Sequence, residues 1–272
     1  MATEAVAPAK INLTLHVTGQ RADGYHLLDS LVVFTELGDH LWLTPSAVTS
    51  LQVTGPFAEG VPEDRRNLVW RAAELAGMPL NIRLDKQLPH GAGIGGGSAD
   101  AAAVLRTCGG QARAAELGAD VPVCLSERPQ RMRGIGDVLE QVSGVPAFAL
   151  VLVNPGVQVP TPDIFRVLAR KQNPAMAERL HWPSRAAFLS WLAEQRNDLE
   201  APAIATAPVI RDVLAALRHA NGCRLARMSG SGATCFGIFE SDAQAREAAA
   251  QIAAAQPGWW AHATRSIGSI EV

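Results

Sequence analysis

Between Leu88 and Leu105 the sequence reads LPHGAGIGGGSADAAAVL, a run that joins a phosphate-sized nest to the start of a helix. Gly91, Gly93, Gly95, Gly96 and Gly97 free the backbone to turn sharply and to present amide hydrogens to an anion. Ser98 has the residue type of an N-cap, and the alanine-rich stretch from Asp100 to Leu105 reads as helix. The first-turn amides of such a helix lack internal partners, and its dipole favours negative charge. Pro89 ends any preceding strand where the loop must leave it. The chemistry on offer is phosphate binding. The run lacks the Lys-Ser or Lys-Thr of a P-loop, and three consecutive glycines before Ser-Ala-Asp fit a dinucleotide fingerprint poorly. A flexible surface turn is the plain alternative; the abrupt junction between glycines and a helix-forming run speaks against it.

The elements that must hold this loop follow from hydrophobic patterning. Residues 11–17, INLTLHV, alternate and read as a strand behind Pro8 and Lys10, and 18–26 form a polar turn with Asp23-Gly24 at its tip. Runs at 28–34, 41–44 and 50–53 read as further strands of the same sheet. An apolar helical stripe covers 67–76, and a short alternating strand at 80–84 delivers the chain to the glycines. Two helices should follow, the second ending near Leu117, before 118–125, GADVPVCL, runs into the core with Pro122 limiting further helix. Residues 131–139 read as a connection between strands that turns at Gly134 and Gly136.

In the second half, 148–153, FALVLV, reads as a buried strand stopped by Pro155 and Gly156. Helices are expected at 185–194, 209–220 and 242–255, and strands at 224–228, 234–239 and 261–266. Setting aside 157–208, the order is β-α-β-β-α-β, the ferredoxin-like arrangement. The domain boundary is placed just before the buried strand, giving domains 1–146 and 147–272.

Composition narrows the class. The 272 residues are 48% hydrophobic and 18% charged, which suits a folded protein rather than disorder. A net charge of −2 gives no support for nucleic-acid binding driven by overall charge. Cys108, Cys124, Cys223 and Cys235 form no CxxC pair and no signal peptide is evident, so a reducing cytoplasm is the economical expectation. Polar residues interrupt every apolar run before 18 residues, so no membrane span is expected.

Other motifs stand in order around the glycine loop: PAKIN at 8–12, RADGYH at 21–26, LGADVP at 117–122, NPGVQVPTPDIF at 154–165 and SGSGATCF at 229–236. Together with GAGIGGGSADAAA at 91–103 they resemble the GHMP small-molecule kinases, and among these the 4-diphosphocytidyl-2-C-methyl-D-erythritol kinases of non-mevalonate isoprenoid synthesis, nearly end to end. The resemblance implies a two-domain α+β fold. Its N-terminal ATP-binding domain would be like the second domain of ribosomal protein S5, and its C-terminal domain ferredoxin-like. It implies ATP-dependent phosphorylation of the 2-hydroxyl of the cytidylyl alcohol, with Mg²⁺ accompanying the nucleotide.

A kinase must collect negative charge, orient a hydroxyl and stabilise the transferring phosphoryl group. Lys10 offers a mobile point charge, and Asp120 can accept or orient a hydroxyl proton. Taken alone, Lys10 reads as a solvated lysine and Asp120 as a cap or turn residue; the resemblance makes them the catalytic pair. It also places Pro89 and the glycines at ATP, Asn67 and Lys86 by adenine and ribose, and Ser98 by the β- and γ-phosphates, with an approach to magnesium.

For the alcohol, the resemblance sets Tyr25 and Phe165 on opposite faces of cytosine, an arrangement that suits a flat base, with His26 at its edge. Asn12 and Asp120 would approach the methylerythritol end, Thr161 and Pro162 would wall the pocket, and Gly230 and Gly232 would bring their turn close to the substrate phosphate. No His/Cys ligand spacing marks a protein metal site, and Mg²⁺ can be held by ATP oxygens and water. The expected partners are the cytidylyl alcohol and ATP, with no nucleic acid or membrane, and the expected state is monomer or weak homodimer. One departure stands out: Thr107 to Arg113, TCGGQAR, replaces about two helical turns before LGADVP. Two other functions fit the motifs less fully: another GHMP kinase acting on a sugar or isoprenoid alcohol, and a weakly active binding protein of the same fold.

Overall fold

A computed structural model describes residues 2–177 and 182–269. Contacts divide it into two compact units that interleave along the chain. One comprises the residues up to Lys10, Leu37–His90 and Gly95–Glu127; the other comprises Ile11–Glu36, Gly91–Ile94 and the residues from Arg128 onward.

The first unit is a small sheet carrying helices. Strand β1, Thr3–Asn12, pairs with β3, His26–Pro45, a single long strand where hydrophobic patterning predicts two. The polar interval inside β3 stays extended because β1 lies against it: a Cβ on Gly38 would sit 2.4 Å from the Ala7 carbonyl oxygen. Further along, β3 pairs antiparallel with β5, Leu80–Asp85, in a register that sets buried Leu41 opposite Leu84 and Leu43 opposite Ile82. Strand β4, Ser50–Thr54, runs parallel to β5. Helix α1, Leu68–Leu75, is capped by Asn67, whose side chain accepts from the Val69 amide at 2.9 Å.

Helix α2, Gly96–Cys108, buries Ala99, Ala101, Ala102, Ala103, Val104 and Leu105. Alanine here serves close approach of neighbouring elements as well as helix propensity, and α1 packs against this helix. Its N-cap is Gly95 in the left-handed region (φ 67°), so Ser98 lies inside the first turn rather than capping it as its residue type predicts. The helix starts early because Gly96 and Gly97 themselves adopt helical geometry once Gly95 has made the turn. A 3-10 helix, Gln111–Glu116, fills the shortened segment, and α3, Val121–Cys124, is a single turn with Pro122 in its first positions.

In the second unit, β8, Ala149–Asn154, is buried along its whole length, as its unbroken apolar run predicts. It lies between β10, Cys235–Phe239, and β11, Trp260–Ile267, antiparallel to both, and β9, Cys223–Met228, pairs with the far side of β10. With α7, Val209–His219, and α8, Asp242–Ala255, the chain order is β8-α7-β9-β10-α8-β11, and the sheet order β11-β8-β10-β9 completes the expected ferredoxin-like topology. Helix α7 buries Ile210, Val213, Leu214 and Leu217, the one-sided stripe that anchors it to the sheet.

Further local expectations are corrected. The alternating run at 11–17 is not one strand: β1 stops at Asn12, and β2, His16–Gln20, begins after a break. Thr14 causes it, because its side-chain oxygen accepts from the Leu31 amide at 2.8 Å, a place a neighbouring backbone carbonyl would fill in a regular ladder. Residues 131–139 are not a bare connection either. They hold most of a hairpin, β6, Gln130–Gly134, against β7, Val138–Gln141. The segment 157–208 adds three helices, α4 at Thr161–Arg166, α5 at Arg185–Glu194 and α6 at Glu200–Thr206, of which patterning finds only α5.

Candidate active site

In the first unit the end of β1 delivers Lys10 to the start of α2. Lys10 is 4% exposed, and a Cβ on Gly95 would lie 3.4 Å from its Cβ and Cε. Its ammonium stands 3.4 Å from Oδ1 of Asp120, the residue just before α3. The Asp120 side chain makes no capping bond to α3 and is about half exposed, so its carboxylate remains available to an incoming group. The α2 N-terminus, formed by Gly95, Gly96 and Gly97, adds unpaired amides and the positive end of the helix dipole. A buried cation, an open carboxylate and the positive end of a helix dipole thus belong to one compact unit.

Lys86 and Asn67 are both engaged with the protein. Lys86 is 3% exposed, and its ammonium donates to Asp39 and, at 2.8 Å, to Asp100 of α2. Burial opposes the charge on Lys86, but Asp100 and Asp39 outweigh it and hold its pKa above the usual lysine value. Burial pushes the Asp100 carboxyl up to about 8 against the pull of Lys86. The Asn67 side chain caps α1 and donates to the Pro62 carbonyl at 2.9 Å.

In the second unit Ser229, at the head of the SGSG turn, ties two backbone segments together. Its hydroxyl accepts from the Asn12 amide and donates to the Gly93 carbonyl, both at 3.0 Å. Gly93 is obligatory there: its φ is +73°, and a Cβ would fall 2.6 Å from the Ser229 carbonyl oxygen. Asn197 fixes the other side of the turn, donating to the carbonyls of Met228 and Gly230 at 2.8 Å. Asn12 donates to Ser30, while its Oδ1 is buried without a partner and lies 3.5 Å from where a Gly230 Cβ would stand. A buried acceptor left open in this way suits a ligand hydroxyl.

Helix α4 carries Thr161, Pro162 and Phe165. Thr161 shares a 2.6 Å hydrogen bond with Ser231 of the glycine turn. Phe165 stacks on His26, with ring centroids 4.7 Å apart and planes 21° from parallel. Burial and then the Lys171 charge lower the His26 pKa below the usual histidine value, and its Nε2 is buried without a partner. Tyr25, at the tip of the β2–β3 hairpin, is 63% exposed. The ring lying on Phe165 is therefore that of His26, which the resemblance places at the edge of the base, while Tyr25 projects from the turn.

The contact boundary falls within the glycine stretch, with Gly91–Ile94 grouped in the second unit and Gly95 onward in the first. The residues sequence reasoning does not single out are those that hold others in place: Asp39, Asp100, Ser229 and Asn197. Ser229 and Asp100 lie inside SGSGATCF and GAGIGGGSADAAA, but the amides and ammonium that Asp39 holds and the two carbonyls to which Asn197 donates are distant in sequence.

Residues 67–128 match the GHMP kinases N terminal domain, and residues 173–258 match GHMP kinases C terminal. A curated 4-diphosphocytidyl-2-C-methyl-D-erythritol kinase from Paracoccus denitrificans is 58% identical over 95% of this chain and 94% of its own length. One from Cereibacter sphaeroides is 54% identical, over 98% of this chain and 100% of its own. The chain belongs to the 4-diphosphocytidyl-2-C-methyl-D-erythritol kinase family. A solved structure of a member agrees, with a TM-score of 0.80 at 36% identity, covering 98% of this chain and all of that one. Family membership makes the chain a phosphotransferase of the two-domain GHMP architecture. With a 3-10 helix at Gln111–Glu116 in the shortened region, Lys10 and Asp120 stand 3.4 Å apart.

No group of three or more His, Cys, Asp or Glu side chains among the described residues could hold a metal ion. No helix among the described residues is long and apolar enough to cross a membrane.

Proposed function

We propose that this chain transfers the γ-phosphoryl group of ATP to the 2-hydroxyl of 4-diphosphocytidyl-2-C-methyl-D-erythritol. The observation that carries the reading is the Lys10–Asp120 pair at 3.4 Å, its cation buried, its carboxylate open, beside the Gly95 turn. Asp120 accepts or directs the hydroxyl proton as the substrate oxygen attacks the γ-phosphorus and ADP departs. Lys10 stabilises negative charge on the transferring group. The amides from Gly95 to Ser98 hold nucleotide phosphates, and Mg²⁺ bound to those phosphates would neutralise further charge.

The second unit supplies the alcohol site in this reading. Phe165 and His26 offer flat surfaces and an unpaired ring nitrogen for cytosine, and Tyr25 is free to cover its other face. Asn12 offers its open Oδ1 to a hydroxyl, and Thr161, Pro162 and Gly230 shape the wall. Pro89, Gly91 and Gly93 lead into the nest, while Asn67 and Lys86 border adenine and ribose with side chains already committed to protein partners. The functional regions are taken as 1–146 and 147–272, in a cytoplasmic monomer or weak homodimer; the four free cysteines support a reducing compartment.

An ADP-coupled assay tests the substrate. The cytidylyl alcohol should sustain turnover, and mevalonate, homoserine and galactose should not. Turnover of one of those alcohols with the cytidylyl compound ignored would move the chain to another GHMP specificity.

A further inference from the structure

We infer that Asp39 is a positioning residue for the phosphate nest, acting through Lys86 and the amides of Gln87 and Leu88. This inference rests on the nest's binding nucleotide phosphates.

Asp39 sits on β3, wholly buried, and both of its oxygens are used. Oδ1 accepts from the Gln87 amide at 2.6 Å and from the Leu88 amide at 2.9 Å, so it fixes the chain just before Pro89 and the glycines. Oδ2 accepts from the Lys86 ammonium, which also donates to Asp100 on α2. Asp100 lies one helical turn beyond Gly96, on the same face of α2. A Cβ on Gly96 would stand 3.6 Å from Lys86 Nζ and 3.7 Å from Asp39 Oδ2, so the cluster lies directly beneath the first residue of the helix.

The three side chains therefore grip both approaches to the nest: the strand-to-loop corner at 86–88 and the first turns of α2. Lys86 is anchored by its own backbone as well, its amide donating to the Thr54 carbonyl at 2.8 Å. A nest works only if its amides converge on one point, and a shift of about 1 Å in such a frame weakens binding and transfer sharply. A buried ion pair is often worth little to stability compared with apolar packing of the same volume, whereas it does fix geometry. One lysine between two buried carboxylates leaves a surplus negative charge, and burial together with the neighbouring Asp39 raises the Asp100 pKa against the pull of Lys86.

The test compares Asp39→Asn, Asp39→Ala and Gly95→Val in the full-length enzyme. Measured quantities are KM for ATP, KM for the cytidylyl alcohol, binding of a fluorescent ATP analogue without the alcohol, and melting temperature. Asn keeps an acceptor for the Gln87 and Leu88 amides but loses the ion pair, so it should raise KM for ATP and weaken analogue binding about 10-fold, with KM for the alcohol held within about twofold. Asp39→Ala should do more, and if it fails to fold the Asn variant alone decides. Asp39→Asn with a lowered melting temperature but wild-type nucleotide binding would make Asp39 merely structural and overturn the inference, as would an equal rise in both KM values. Gly95→Val separates the levels: if it leaves analogue binding intact the nest reading itself fails, whereas if it impairs binding and Asp39→Asn does not, only the positioning role is lost.

Discussion

Lys10 and Asp120 meet at 3.4 Å from opposite environments: the lysine side chain is 5% exposed and the aspartate 49%. A buried ammonium fixed beside a half-open carboxylate differs from a surface ion pair, whose two members share the solvent. In the proposed reaction the buried lysine faces the transferring phosphoryl group and the open side of the carboxylate receives the hydroxyl. Asp120→Asn, which preserves size and hydrogen bonding, should lower kcat by about 10²-fold or more with little change in either KM. Lys10→Met should also act on kcat, and the double variant should lose less than the product of the two single losses. Steady-state kinetics at saturating ATP and alcohol decide it; wild-type turnover in Asp120→Asn would remove that residue from the chemistry.

Gly95→Val should impair nucleotide binding more than folding. Valine disfavours the left-handed φ of 67°, and its side chain would press on Lys10 and on Cys124, whose sulfur lies 3.8 Å from the new Cβ. Nucleotide titration alongside circular dichroism separates loss of the nest from loss of the fold.

Phe165→Ala should raise KM for the cytidylyl alcohol about 10-fold, the scale of one lost aromatic contact, and leave KM for ATP near its original value. Equal rises in both constants would show that α4 supports the protein generally rather than the base.

His16 gives the fold a pH dependence of its own. Burial, helped by the Arg196 charge and opposed by Asp198 and Asp29, lowers its pKa from 6.5 to about 4. Because the folded value lies below the unfolded one, its contribution is intact above pH 6.5 and is lost as pH falls toward 4. The loss is on the order of 2 kcal/mol after allowance for solvent screening. Denaturant melts across that range should show the decline in the wild type and a flatter profile in His16→Gln. Parallel profiles would assign the acid sensitivity to other groups.

The contrast between Lys10 and Asp39 shows what was legible in the chain and why. The glycines lie in a short motif whose residue types suggest phosphate binding, Lys10 and Asp120 stand out only through the family resemblance of the motifs around them, and the C-terminal strands and helices declare themselves by clean apolar periods ended by Gly, Pro or Ser. Asp39 is an acidic residue in a polar stretch of a strand, and its partners stand 47 to 49 positions away, so only the fold reveals its contacts. The break at Thr14 and the unbroken β3 have the same origin: a side-chain acceptor replaced a backbone one in the first case, and a neighbouring strand overrode a polar interval in the second. The stacking of His26 on Phe165 depends on a hairpin and a helix far apart in sequence, which residue types alone could not orient.

The most direct measurement is mass-resolved and phosphorus NMR analysis of the product formed from ATP, Mg²⁺ and 4-diphosphocytidyl-2-C-methyl-D-erythritol, run beside Asp120→Asn. The wild type should yield ADP and one new species, the alcohol carrying a single phosphoryl group as a monoester on its 2-hydroxyl, while the variant yields that species far more slowly. Folded protein that binds both compounds yet forms no phosphorylated alcohol, or that places the phosphoryl group on another hydroxyl, would contradict the assignment.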